Sequence, residues 1–149
     1  MATSSLVYGT TTTVTMTLNG LATSATAGRK SAAFALTNAP MAMIDVVCVV
    51  GAGTIANDKG AHVWLARSLD GTNYEDGATD GDANYTPPSP SNMLYLGMVS
   101  IPVASATYRK SFLLLDPYPS HILVVRNYSG IALGAGSLVQ YRTITESIA

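Results

Sequence analysis

Thr11-Thr12-Thr13-Val14-Thr15-Met16-Thr17-Leu18 alternates apolar and polar side chains with a period of two. Val14, Met16 and Leu18 fall on one face and Thr13, Thr15 and Thr17 on the other, the pattern of a half-buried strand. Asn19-Gly20 follows as a turn, because both residues tolerate positive φ at little cost. The same grammar repeats outward. Arg29–Thr37 reads as the next strand, with Ala32, Phe34 and Leu36 inward and a stop at Asn38-Ala39-Pro40. Ile44–Val50 is apolar on both faces apart from Asp45 and rich in β-branched residues, so a central strand buried on both sides is expected. His62–Ser68, Leu94–Ile101, Arg109–Leu115, His121–Tyr128 and Leu138–Thr145 bring the total to about eight strands, punctuated by Pro102, Asp116-Pro117 and Pro119. Only Leu21–Ala27 and Val103–Tyr108 have room for a helical turn. The expected fold class is all-β, an antiparallel two-sheet β-sandwich with jelly-roll-like connections.

Leu69–Met93 breaks the pattern. Asp70-Gly71, Asp76-Gly77, Asp80-Gly81 and Pro87-Pro88-Ser89-Pro90 make it one long loop, and a connection of that length is normally functional or pinned against a partner. Asp70, Glu75, Asp76, Asp80 and Asp82 place five of the nine acids here, and no Lys or Arg occurs between Arg67 and Arg109. A calcium loop would need a different ligand order and a terminal bidentate Glu, so Asp-Gly turns on a solvated loop are expected and no metal is assigned. Ser68–Tyr74 resembles the Asp-box hairpin of sialidase-like propellers, one residue short between Asp and aromatic, which implies a β-turn and no catalysis.

The 149 residues are 48% hydrophobic and only 11% charged, with eight Lys and Arg against nine Asp and Glu; soluble domains usually carry about 25% charge. A monomer of this mass exposes about 7,200 Å², or about 420 Å² per charge. Such a surface is covered by Thr, Ser, Asn and Gly or by other chains, and both are expected. The length suits a single domain, 1–149, with a short N-terminal arm (1–8) and the long loop (69–93). Net charge is −1, and the bases are scattered, which disfavours direct nucleic-acid binding. Cys48 is the only cysteine; no intrachain disulfide can form, as suits a reducing cytosol. Met1–Thr10 has no basic residue before an apolar run, so no secretory signal is expected. Ala39–Gly53 is shorter than the ~18–20 residues of a membrane span.

Catalytic chemistry finds little support. Gly51-Ala52-Gly53-Thr54-Ile55-Ala56 follows an apolar strand and matches a dinucleotide fingerprint, but Asn57-Asp58-Lys59-Gly60 cuts off the helix that fingerprint requires, leaving a glycine-rich hairpin. Cys48, among Val46, Val47, Val49 and Val50, reads as an inert core thiol. His62 and His121 each start a strand with no nucleophile or zinc-ligand spacing around them. No paired carboxylates stand outside the loop, so no enzyme and no cofactor are expected. Eight Tyr against two Phe and one Trp is unusual for a core-only role. They either seal the sandwich ends or meet a partner. The candidate interface residues are Tyr8, Tyr74, Tyr85, Pro87, Pro88, Tyr95 and Tyr118.

Trp64-Leu65-Ala66-Arg67-Ser68-Leu69-Asp70-Gly71-Thr72-Asn73-Tyr74-Glu75-Asp76-Gly77 resembles the strand, S-x-D-G, aromatic segment of small β-sandwich structural proteins of tailed bacteriophage virions. Leu123–Gly130, continuing through Ile131-Ala132-Leu133 and Ser137–Arg142, is similar to their closing hairpin. Together these segments cover about a quarter of the chain. The resemblance implies a virion component without catalytic residues, most simply a capsid decoration (cement) protein. Its expected partners are itself, as a homo-oligomer such as a trimer, and the major capsid protein, with assembly in the host cytoplasm. The arm Met1–Tyr8 and the loop Leu69–Met93 are the expected clamping elements. A head–tail or tail component is an alternative, as is a carbohydrate- or receptor-binding sandwich, in which loop Tyr, Trp, Asp and Asn would stack and bind sugars. A small β-sandwich hydrolase working through His62 or His121 is more remote.

Overall fold

The computed structural model describes residues 4–36, 39, 41–57, 59–89, 91–116 and 118–148, of which Ile148 by its backbone alone. Met1–Thr3 of the expected arm lie outside the described residues, as do Thr37, Asn38, Pro40, Asp58, Pro90 and Pro117 from the turns quoted above.

Among the described residues eleven strands form two antiparallel sheets: β1 (Ser4–Tyr8), β2 (Thr12–Thr13), β3 (Gly28–Lys30), β4 (Phe34–Ala35), β5 (Met41–Val50), β6 (Gly60–Ser68), β7 (Ala83–Tyr85), β8 (Leu94–Ser100), β9 (Ala106–Leu115), β10 (Ser120–Asn127) and β11 (Leu138–Ile148). The first sheet runs β1-β11-β5-β9, with β2 also on β11; the second runs β7-β3-β10-β6-β8, with β4 also on β10. β1 and β2 share one position beside β11, and β3 and β4 share one beside β10. Eight principal strands then pair as a nested hairpin, first with last (β1·β11), second with seventh (β3·β10), third with sixth (β5·β9) and fourth with fifth (β6·β8). That nesting, rolled into two facing sheets, is a jelly roll.

The core is the inner alternate positions of both sheets. Ala42, Ile44, Val46, Cys48 and Val50 of β5 meet Val63 and Leu65 of β6 and Leu123 and Val125 of β10, all buried. Val14, Met16 and Leu18 are buried with Thr13, Thr15 and Thr17 exposed, although only Thr12–Thr13 joins a ladder. Past that point the segment crosses between sheets, held by Val14 N–H to Val139 O (2.9 Å) and by Ala32 N–H to Thr15 O (2.9 Å). At the turn beyond, Gly20 takes φ +80°.

Four expectations need correction. Leu21–Ala27 and Val103–Tyr108 form no helical turn; the one helical segment among the described residues is a 3₁₀ turn, Glu75–Gly77. The glycine-rich segment after Val50 is not a hairpin, because β5 and β6 belong to opposite sheets. β5 is central but buried on one face only: Met41, Met43, Asp45, Val47 and Val49 stay half-buried. The stretch 69–93 is not a plain loop. It contains the 3₁₀ turn and β7, which extends the second sheet through β3.

That stretch also folds back over the outer face of the second sheet, where Tyr74, Ala78 and Met93 form a second small core with Ala66, Ile122 and Val124. Its acids find the bases it lacks on the strands beneath. Asp82 accepts from Arg29 Nε (2.5 Å) and from the Thr17 backbone (3.0 Å), and Glu75 takes a forked bond from Arg67. Lys30, only 5% exposed, donates to the carbonyls of Thr79, Asp80 and Gly81. Asp70 organises the first turn by accepting from the Thr72 and Asn73 backbones, both at 2.8 Å, the Asx geometry that favours Asp before Gly.

Candidate interaction surface

Among the described residues the outer face of the first sheet has no such cover. The register aligns Tyr8, Ile144, Met41 and Leu115 in one row across four strands, and Arg142, Met43 and Leu113 in the next. Directly paired residues share a face, so these rows stand on the side opposite the core. Leu115 is 67% exposed and Leu113 and Tyr8 each 56%. Ile144 alone is buried, between its row neighbours. The next row holds Ser111, Asp45 and Gln140. Asp45 accepts from Arg109 Nε (2.7 Å), Ser111 Oγ (3.1 Å) and Gln140 Nε2 (2.9 Å), so its oxygens are already engaged. Tyr8, Thr11, Met43, Asp45, Arg109 and Arg142 border a shallow concavity of about 310 Å³ beside these rows. The arrangement offers apolar contact ringed by hydrogen-bonding groups, the anatomy of a protein interface.

The expected site residues do not converge. Tyr8 belongs to the first-sheet surface. Tyr74 is buried in the second core, its hydroxyl 2.6 Å from Ser120 Oγ, so it seals rather than reaches outward. Tyr85 is half-buried and donates to Asp76 O (2.8 Å). Pro87 and Pro88 occupy the β7–β8 connection, half-buried and exposed respectively. Tyr95, on β8, is 49% exposed on the second sheet. Tyr118 packs under the Arg67 guanidinium, 5.0 Å from its ring centre. Leu113, Leu115, Met41 and Met43 were not anticipated, although Ser111-Phe112-Leu113-Leu114-Leu115 carries apolar residues on both alternate faces and so signals a strand end with two apolar sides.

Two of the three titratable residues named for catalysis, Cys48 and His121, are buried in the core, whereas His62 is half-buried on the outer face of the second sheet. Burial pushes the Cys48 thiol up to about 12, a thiol inert at neutral pH. His121 is fully buried at one end of the core, its Nε2 3.8 Å from Asp116 Oδ1 and its ring against Phe34. Desolvation pushes its pKa down, against the opposing pull of Asp116. Among the described residues no three His, Cys, Asp or Glu side chains are grouped to hold a metal ion, and no helix is long and apolar enough to cross a membrane.

No protein-family model and no curated protein matches the chain. Among solved structures, one described as "Xyl-CBM35 in complex with glucuronic acid containing disaccharide" is similar over 95% of each chain, at 11% identity and a TM-score of 0.34, a likeness that carries no functional argument.

Proposed function

We propose that this chain is a structural protein of a bacteriophage virion, of the capsid decoration type, that self-associates and joins neighbouring capsid subunits. The observation that carries the reading is the pair of apolar rows on the outer face of the first sheet, Tyr8, Ile144, Met41 and Leu115 beside Met43 and Leu113. The scarcity of charge supports it, since a face with few ionic groups costs little to desolvate. So do the two sequence segments that resemble phage virion proteins, which map to β6 with its following turn and to β10–β11. The clamping elements are reassigned. The 69–93 stretch is engaged with its own sheet and is withdrawn from that role, whereas the β1 edge and the first-sheet face take it. Binding to the assembled shell and not to free subunits stabilises the shell by mass action, and many weak contacts add through multivalency.

The test is to mix purified protein with bare phage heads. Saturable binding at many copies per head, together with raised heat resistance of the heads, is the expected result. A neck or tail component would instead bind a few copies at one vertex. Absence of binding to heads, necks or tails overturns the proposal.

A further inference from the structure

The 69–93 cover leaves part of the second sheet's outer face open. There His62 and Trp64 of β6, Tyr95 of β8, Arg126 of β10 and Tyr128 just beyond it form one aromatic and cationic patch. Ring centres lie 5.8 Å apart for His62 and Trp64, 5.3 Å for Trp64 and Tyr95, and 4.8 Å for His62 and Tyr128. The Tyr95 hydroxyl and His62 Nδ1 share a 2.9 Å hydrogen bond. A β-bulge sets this up. The register passes from Val63 opposite Gly97 to Trp64 opposite Tyr95, so Leu96 is the extra residue and Tyr95 is turned to stand beside Trp64. The Arg126 guanidinium lies 5.6 Å from the Trp64 ring centre and 5.2 Å from that of Tyr128. Gly28 gives it passage, since a Cβ there would come within 2.6 Å of Arg126 Cγ. Arg126 donates to the Ala25 carbonyl, its Nε is buried without a hydrogen-bond partner, and no carboxylate pairs with it among the described residues.

We infer that this patch is a binding platform for an anionic polysaccharide with a carboxylate on its pyranose ring. The C–H face of a sugar ring packs on exposed aromatic rings, and the indole, phenol and imidazole edges supply hydrogen bonds to hydroxyls. A guanidinium already held between aromatic rings, with its Nε buried and its Nη2 bonded to Ala25, keeps its Nη1 N–H groups for a carboxylate with little further ordering. A nucleic acid fits less well, because a phosphate backbone needs a track of bases and the patch carries one guanidinium. The inference is independent of the virion proposal.

Trp64 is the only tryptophan, so its emission reports binding to the full chain directly. Titration with polygalacturonate is expected to give a saturable change, with dextran at least about tenfold weaker at matched ionic strength. Arg126→Lys keeps the charge but loses the planar group held against Trp64 and Tyr128, and about a tenfold loss of polygalacturonate affinity is expected; Tyr95→Ala, on an exposed side chain, is expected to weaken binding with melting unchanged. No saturable change, equal affinity for dextran, tighter binding of poly(dT), or undiminished affinity in both variants would each overturn the inference.

Discussion

The two outer faces of this sandwich begin alike and end differently. Each has apolar side chains at its centre: Ala66, Ile122 and Val124 on the second sheet, Met41, Met43 and Ile144 on the first. The second sheet is covered by the chain's own residues 69–93, which bring Tyr74, Ala78 and Met93 to it and fasten themselves through Arg29, Lys30 and Arg67. Among the described residues the first sheet receives nothing comparable. The whole chain exposes 7508 Å², near the about 7,200 Å² expected of a monomer this size. The open apolar surface is therefore a matter of particular patches, the first-sheet face above all, and not a general looseness of the fold. A face closed from within should govern stability, and an open one should govern association.

The largest effect is expected at the covered face. Tyr74→Ala empties the second core and should lower unfolding free energy by about 3 kcal/mol, measured by urea denaturation, with early proteolytic cleavage within 69–93. Lys30→Ala removes a buried cation and frees three carbonyls, an expected loss of about 2 kcal/mol by the same measurement. If either variant melts like the wild type, the cover is not fastened as described.

Acid should destabilise the fold in two stages, the first at the core end that holds His121 and the second at the cover. The native pKa of His121 lies below its ordinary value, so its contribution is full above that value and falls as pH drops beneath about 6.5. Asp82 is held at about 2, chiefly by the Arg29 hydrogen bond against the cost of burial. Its contribution is present above the ordinary carboxylate value and is lost as pH falls from there through about 2. Melting temperature against pH should therefore show a first decline absent in His121→Gln. A second decline, at lower pH, should bring hydrogen exchange in 69–93 ahead of exchange in β5 and β11. The smallest change in stability is expected on the open face: Leu113→Ser with Leu115→Ser should shift the unfolding free energy of the dissociated chain, measured at high dilution, by less than about 0.5 kcal/mol.

Much of the sandwich was legible because period-two alternation reports burial directly. The buried set Val14, Met16 and Leu18 was readable even where no ladder forms, since alternation records which side faces the core and not whether a neighbouring strand is hydrogen-bonded. The cover was not legible. Asp-Gly pairs and prolines announce turns, but the partners of Asp80, Asp82 and Glu75 lie 8 to 65 positions away, on β3, β6 and the segments beside them. Local pattern carries no information at that range. Ile44–Val50 misled for a related reason, because Val47 and Val49 look the same in sequence whether the chain or a neighbour covers them. Tyr74, placed by composition at an interface, proved to be the anchor of the second core.

Sedimentation velocity over a wide concentration range, on the wild type and on the Leu113→Ser, Leu115→Ser variant, addresses the open face most directly. The wild type should sediment as a multiple of the 15.5 kDa chain and the variant as a single chain that remains folded. A wild type that remains a single chain at every concentration would contradict the account.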